Sequence, residues 1–584
     1  MMRVGIVAIA YLTFSSYGRR VQIRSSDPLE VIERILLAFN YPAVTRPKAG
    51  LGHLRSTSLN SAARPRSTTI VACAPPVDKA ANLHAWLNSK GIDTSAVKGG
   101  PLPGFGLSLI SQGVESGTRL LSVPASLHIT PSSVQDSPLG KAVSDVVPAD
   151  DNSAFLALGL LQEVGKGDAS PLAPYIEILP GADKMNGLPL LWTDEDLNKF
   201  LSGSHLQATV TNMRNELLAQ WQEIEKSVLP KHPESLFPRN VFNAPGYLWA
   251  HAICLTRALP FGDELSLIPF LDLANHRAGS KNACSIGVID ESSKTDESAA
   301  DAPTKAGVLP VTDALQLEGK EGVAVLTAGE AIPDGEQVFI DYGETGWRSS
   351  WEMLYTYGFV PGDTKEDWLA AGGRPIFFEG VREDDPLRPQ KQALLTALGV
   401  DEMGWAGTWV DLRASTQAAV SMAPLLRLAY LSPGKHSSHP VAAKLAEKLA
   451  SWEAEPRETW QLLQTPLDPQ TESLIAGQVI GQCEEALALL PPVENLAAAS
   501  APADPEASAA DDEEAAEQER ARVAARVMLG ERYALERCIG EWKQRQDVAA
   551  DSSAKEENDA SEEGAEQGEA PKKRPSRAGR LNLS

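Results

Sequence analysis

Four segments of the chain hold residue types that could do chemistry. The first is Gly104-Phe105-Gly106-Leu107. Glycines there let backbone approach a ligand closely. A lone GxG is more often a plain turn, and no third glycine or helix start follows to make a dinucleotide fingerprint. The second runs from Leu267 to His276, an apolar strand-like stretch ending in Asp272, Asn275 and His276. Asn275 offers a donor and an acceptor, which suits an adenine or a backbone edge. Read alone, the segment is as readily a capped element around a core histidine. No second His or Cys stands at ligand spacing, so no metal site is expected. The third runs from Gly335 to Gly343 and reads as a strand ending in Tyr342-Gly343. The fourth, Leu354 to Val360, contains Tyr357-Gly358-Phe359. A single such tyrosine is usually packing. Two Tyr-Gly signals about fifteen residues apart suggest phenols converging on one site. No nucleophile elbow or P-loop is present.

These segments need elements to carry them. Strands are expected at Leu107–Ile110, Leu120–Val123, Val323–Leu326 and Gln337–Asp341, with turns at Gly104-Phe105-Gly106, Pro333-Asp334-Gly335 and Tyr342-Gly343. Between about 135 and 258 the pattern turns helical. Thr193 followed by Asp194, Glu195 and Asp196 is an N-cap with acids in the first turn. The stretch 286–318 reads as a surface loop. After about Pro386 the texture is mostly helical, with the 3.6 period in 391–398, 415–431, 441–452 and 471–490. Residues 520–546 form a long candidate helix that Gly530 and Gly540 could interrupt.

The chain has 584 residues, 43% hydrophobic and 22% charged, so it can bury a sizeable core and is not disordered throughout. Five cysteines stand far apart with no CxxC pair, which argues against a zinc finger or a disulfide scaffold. No run of eighteen apolar residues marks a membrane helix. A formal net charge of −24 argues against non-specific nucleic-acid binding. The charge is uneven. Residues 1–73 hold ten Arg/Lys against three Asp/Glu, and no acid occurs from Ile35 to Val77. That basic, hydroxylated composition reads as an organelle transit peptide, with Ile70-Val71-Ala72-Cys73-Ala74 resembling a stromal processing site; a mitochondrial target, through an amphipathic helix at 28–40, and a cytoplasmic or nuclear protein whose start carries no address are the alternatives. Residues 496–519 carry eight acids and no base, and 549–570 carry eight acids and one Lys; both read as solvated spacers.

Together and in this order, the four segments resemble the SET-domain protein methyltransferases, above all the branch typified by the Rubisco large-subunit lysine methyltransferase. That branch shows GxGL, a helical insertion, a helix with Trp-Ala and Arg-Ala, a run ending in Asp-x-x-Asn-His, then GEQV leading to Tyr-Gly, and finally YGF. Here these read Gly104–Leu107, Trp249-Ala250 with Arg257-Ala258, Leu267–His276, Gly335–Gly343 and Leu354–Phe359, whose leucine leads into the YGF. The departures are Phe105 inside GxGL, Ser349-Ser350-Trp351 before the Leu354 helix, and the long 286–318 loop.

The resemblance implies an α+β protein: a β-rich SET domain over 83–361 with a helical insertion at about 135–258. An all-α substrate-binding domain over 366–548 would follow; the composition of 549–584 reads as a disordered acidic tail. The resemblance implies S-adenosylmethionine as cofactor, held by Gly104, Phe105, Gly106, Leu107, Arg257, Asn275 and His276, with Tyr342, Tyr357 and Phe359 closing the pocket. Arg257 would pair with the cofactor carboxylate, Asp272 would be structural and paired with Arg257, and Tyr342 would be the catalytic positioner. The implied reaction is methyl transfer to a lysine of a protein substrate, such as the Rubisco large subunit or aldolase in the chloroplast stroma. The implied protein is a monomer with no nucleic-acid or membrane partner. A histidine acceptor, a non-catalytic SET-fold binder and a nuclear histone methyltransferase stand as alternatives.

Overall fold

The computed structural model describes residues 79–102, 106–262, 264–277, 283–290, 322–342, 348–362, 364–398, 407–413, 423–432, 440–501 and 512–566, with backbone alone for some of them. The expected transit peptide and residues 291–318 of the expected loop lie outside these residues, while 286–290 belongs to the strand Ala283–Asp290 instead of the loop. The chain divides into two units. The first comprises 1–374, 413–415 and 489–533; the second comprises 375–412, 416–488 and 534–584.

In the first unit, strands β1 (Val97–Leu102), β2 (Gly106–Val114) and β9 (Ile332–Gln337) form one antiparallel sheet. A five-stranded sheet has the order β3-β8-β7-β10-β6, with β3 Arg119–Pro124, β6 Asn275–His276, β7 Ala283–Asp290, β8 Gly322–Thr327 and β10 Phe339–Ile340. The short pair β4 (Leu259–Phe261) and β5 (Glu264–Ser266) completes the unit's strands among the described residues. In β2, Ser108, Leu109, Ile110 and Ser111 are all buried, because protein covers both faces of this sheet. The Ser111 hydroxyl stays satisfied there by donating to the Ile332 carbonyl at 3.0 Å.

The expected turn at Pro333-Asp334-Gly335 is instead a bulge inside β9. Ile110 pairs with Gln337 and Gln112 with Asp334, so three residue steps of β9 oppose two of β2. Gly335 takes the extra step at φ +82°, a conformation that suits glycine. The single strand expected over Gln337–Asp341 breaks at Val338. This residue is fully buried and donates its N–H to the Leu109 carbonyl at 2.8 Å.

The helical insertion is present. Helix Asn152–Lys166 buries every residue from Ala154 to Leu161. At Gly159 a Cβ would come within 2.4 Å of Val134, so glycine lets the helix Pro131–Gln135 pack against it. Thr193 caps Asp194–Phe200 as expected, accepting from the Asp196 N–H. Helices His205–Ser227 and Ala244–Arg257 pack through Trp221 and Tyr247, whose ring centroids are 5.4 Å apart.

Residues 489–533 also belong to the first unit, where one unbroken helical domain over 366–548 was expected. The helix Asp512–Glu566 supplies part of this return. Gly530 meets Gly372 so closely that a Cβ on it would lie 2.8 Å from the Gly372 Cα. Beside it, buried Glu531 accepts from Arg374 at 2.5 Å and from Ser204 at 2.6 Å. The helix crosses Gly530 and Gly540 without a break. It also continues to Glu566, so 549–566 is helical where a disordered tail was expected. Ala, Glu and Lys there are strong helix formers, and the acids at 512–514 suit a helix N-terminus.

The second unit is mostly helical but not all-α. Strands β11 (Gly373–Glu379) and β12 (Gly407–Arg413) form a two-stranded sheet. In β11 Ile376 and Phe378 are buried while Phe377 is exposed, the period of two that a strand imposes. Its helices include Arg388–Ala397, Ala423–Tyr430, Pro440–Ala450, Pro456–Leu463 and Pro469–Leu489. Arg427 clamps Glu472 with two contacts, at 2.7 and 2.8 Å, and donates to the Leu463 carbonyl. Cys483 and Cys538, both buried free thiols, lie 3.7 Å apart.

Candidate functional site

The site is built where β6 and β10 run side by side in parallel. Phe339 pairs with Asn275 and Ile340 with His276, and the Arg277 N–H donates to the Ile340 carbonyl at 3.1 Å. This pairing joins segments two and three of the sequence. The run before β6 is not a strand as expected. Leu267 makes one bridge to Ile129, the chain turns, and Leu271–Leu273 forms a single 3-10 turn. Phe270 sits at φ +72°, costly for a bulky residue, and full burial holds it there. That kink turns Asp272 into the interior.

Asn275 donates from its side-chain amide to the Ser108 hydroxyl at 2.9 Å. The strand that begins Gly106-Leu107 is thereby tied to the site. Gly106 itself adopts φ +69° opposite Leu102, at the end of the β1–β2 hairpin. Gly104 and Phe105 lie outside the described residues.

Four rings, those of Tyr342, His276, Tyr357 and Phe359, form one cluster. The Tyr342 centroid is 5.2 Å from His276 and 4.6 Å from Tyr357, while Phe359 lies 6.0 Å from His276 and 6.2 Å from Tyr357. Helix Ser350–Tyr357 delivers Tyr357. Gly358 then ends it at φ +79°, packed so tightly that a Cβ would lie 2.9 Å from the Leu188 nitrogen. That turn returns Phe359 toward His276. Tyr357 donates a long bond to the Tyr342 carbonyl at 3.4 Å, and Arg348 lies over the Tyr357 ring.

His276 Nδ1 accepts the Tyr342 backbone N–H at 3.1 Å, which places the proton of the neutral ring on Nε2. Burial holds its pKa below the usual imidazole range; Asp341 opposes this and Arg348 adds to it. The 3.7 Å approach of Asp341 to the same nitrogen is therefore not an ion pair at neutral pH. The Tyr342 hydroxyl donates to the Ala274 carbonyl at 3.1 Å. Burial pushes this phenol well above its ordinary pKa, so it stays protonated and is unsuited to act as a general base.

Arg257 ends helix Ala244–Arg257, and its charge reaches Tyr342. Its Nη1 lies 3.4 Å from Asp272 Oδ2 and donates to the Asp272 carbonyl at 3.3 Å. The Arg257–Asp272 pairing is as expected. Among the described residues, the guanidinium contacts all use Nη1, so Nε and Nη2 remain for an anion. The donor set thus suits a ligand with a carboxylate at Arg257, a polar ring near Asn275, and a cationic centre among aromatic faces.

Sequence reasoning missed three participants: Ser108, the Ala274 carbonyl and Tyr175. Tyr175 belongs to the four-residue helix Ala173–Ile176 and donates to Asp272 Oδ2 at 2.9 Å. No sequence signal marks it. Among the described residues no group of three or more His, Cys, Asp or Glu could hold a metal ion.

No family model matches the chain. Human SET domain-containing protein 4 is 28% identical over 209 residues, which cover 33% of this chain and 46% of that protein. Actin-histidine N-methyltransferase of Drosophila melanogaster is 26% identical over 307 residues, covering 48% and 49%. N-lysine methyltransferase setd6 of Xenopus laevis is 20% identical over 300 residues, covering 49% and 58%. The chain spans about half the length of these curated relatives. Among solved structures, the SET domain of LSMT bound to lysine and AdoHcy matches with a TM-score of 0.63 at 21% identity. That match covers 81% of this chain and 93% of the other. Rubisco LSMT bound to AdoMet matches with a TM-score of 0.60 at 21% identity, covering 82% and 93%. The chain has the SET-domain fold.

Proposed function

We propose that this SET-fold chain is an S-adenosylmethionine-dependent protein methyltransferase acting on a lysine side chain. The observation that carries the reading is the convergence of Tyr342, His276, Asn275 and Arg257 on one small site. The likeness to LSMT bound to AdoMet, and the methyltransferase relatives, support it.

S-adenosylmethionine supplies an electrophilic methyl on a sulfonium. The protein's residues do the positioning. Arg257 holds a carboxylate with its unused nitrogens. Asn275 and His276 offer their strand edge to the adenine, with Gly106 and Leu107 alongside. Tyr357 and Phe359 close the pocket. Tyr342 orients an incoming amine. A lysine of pKa about 10.4 must reach the site neutral, and a desolvating aromatic pocket favours that form. Tyr342 and the aromatic faces around it would hold the amine nitrogen facing that methyl. Alignment, not acid–base chemistry at the enzyme, is the main contribution.

The substrate we propose is a folded protein of the plastid stroma, such as the Rubisco large subunit or aldolase, with residues 1–73 removed on import. The basic start, free of acids from Ile35 to Val77, supports that destination. We further propose a monomeric enzyme that works without nucleic acid or membrane. The test is methyl transfer from labelled cofactor to stromal extract, followed by residue analysis of the labelled protein. Methyl-lysine supports the reading. Methylhistidine supports the second reading, favoured by the actin-histidine relative that matches over 307 residues. Cofactor binding with no transfer to any protein would leave a binding module.

A further inference from the structure

Tyr175 reaches the site from 97 residues away in the chain. It is fully buried in the helical insertion, and so is the side chain of Asp272. Burying a carboxylate is costly unless donors surround it. Asp272 Oδ1 has no partner among the described residues. Oδ2 has two, and they are unequal: the phenol of Tyr175 at 2.9 Å and Arg257 Nη1 at 3.4 Å. The first is a good hydrogen bond; the second lies beyond the usual N–H···O range. Burial, and then the charge of Asp272, push the Tyr175 pKa well above its ordinary value, so the phenol is a permanent donor.

The consequence concerns Arg257. A buried aspartate facing an arginine ordinarily draws it into a two-pronged clamp, as Glu472 draws Arg427 in the second unit at 2.7 and 2.8 Å. Here the phenol already donates to one of the two oxygens that such a clamp would need. The guanidinium stays near Asp272 on Nη1 alone, anchored by the main-chain carbonyl at 3.3 Å. Its other nitrogens keep their donors for something else.

We propose that Tyr175 is a positioning residue: by donating to Asp272 it keeps Arg257 from closing on that carboxylate and directs the guanidinium to the carboxylate of the bound cofactor. This rests on the reading of Arg257 under the proposed function. Tyr175 touches neither cofactor nor reacting atoms; it acts through the Asp272–Arg257 pair.

The test is calorimetric binding to the full chain with two probes. S-adenosylhomocysteine carries the carboxylate, whereas 5′-deoxy-5′-methylthioadenosine lacks the whole amino-acid arm. In Tyr175→Phe, the Kd for S-adenosylhomocysteine should rise about five- to thirty-fold, the order of one hydrogen bond to a charged group. The Kd for methylthioadenosine should stay within about twofold, which also shows that the variant is folded. In an Arg257→Lys background, Tyr175→Phe should cause no further loss, since coupled groups are not additive. Equal loss on both probes, including complete loss, means that Tyr175 merely supports the fold and overturns the proposal. Unchanged affinity for S-adenosylhomocysteine overturns it as well, as does a full additional loss in the lysine background. A wild-type chain that binds neither probe defeats the functional reading itself and this inference with it, an outcome distinct from the others.

Discussion

Tyr342 commits its hydroxyl to the Ala274 carbonyl and its N–H to His276, so both ends of the residue are held before any substrate arrives. A phenol fixed this way can align an amine but, protonated as it is, cannot take its proton. Tyr342→Phe keeps the ring between His276 and Tyr357 and removes only the hydrogen bond. Turnover should then fall on the order of 10- to 1000-fold, the scale of misplaced reacting groups. Affinity for S-adenosylmethionine should change little. Methyl transfer at saturating cofactor, alongside calorimetry, checks both; turnover within about twofold of wild type would take the hydroxyl out of the mechanism. His205 makes a prediction about pH. Burial and the nearby Arg374 lower its pKa to about 3, so it is neutral in the fold and must protonate on unfolding below about 6.5. Its contribution to stability is full above the unfolded pKa and is lost as pH falls toward 3. His205→Gln should reduce the slope of unfolding free energy against pH by about one proton between these limits. Denaturant melts at pH 7, 5.5 and 4.5 measure it, and an unchanged slope would mean that the ring is already charged in the fold.

Elements set the positions of these residues through a few close approaches, and glycines mark where. Gly335 takes the bulge of β9 at φ +82° with no atom near its missing Cβ. Gly335→Ala therefore meets only backbone strain, about 1–2 kcal/mol. Gly530 is the opposite case: its φ suits any residue, but a Cβ would strike the Gly372 backbone at 2.8 Å. Gly530→Ala should destabilise more than Gly335→Ala, because one stretch of main chain must move away from another. Gly540 lies in the same long helix with nothing within 4 Å. Gly540→Ala should stabilise by roughly 0.5–1 kcal/mol, the helix preference of alanine over glycine. Thermal melts should rank Gly530→Ala lowest, Gly335→Ala next and Gly540→Ala highest, and a stable Gly530→Ala would mean that the helix and residue 372 are not in contact.

At the scale of the molecule, the return of residues 489–533 to the first unit changes what a truncation can test. A chain ending near residue 363 would keep every residue proposed to hold the cofactor. Such a chain loses both Arg374 and Glu531, the buried ion pair that also takes a hydrogen bond from Ser204. Glu531→Ala isolates that effect. It leaves Arg374 buried and uncompensated and should cost about 3–5 kcal/mol. Ending the chain after Arg374 should cost at least as much and abolish the cooperative melt of the first unit. A cooperative melt of that short chain, near the wild-type midpoint, would refute the assignment of 489–533 to this unit.

The amino-acid sequence by itself marked out the residues that meet at the candidate site. Tyr342, Tyr357, Phe359, Asn275, His276 and Arg257 stand in short motifs whose spacing is local, and the structure gathers all of them. It also determined most helices, because a 3.6 period reports which face of a segment will be buried. It did not determine what that face is buried against. Tyr175 has no motif, since its partner Asp272 is 97 residues away. The Pro333-Asp334-Gly335 bulge looks like a turn until β2 is laid beside it. Sheet β11–β12 hid in a helical stretch because two short strands become legible only as a pair. The long helix Asp512–Glu566 is plain in composition, but only tertiary packing divides it between two units, through Gly530, Glu531 and their distant partners. Local pattern is written in neighbouring residues; long-range pairing depends on shape and charge complementarity between segments far apart in the chain, and only the folded chain brings those together.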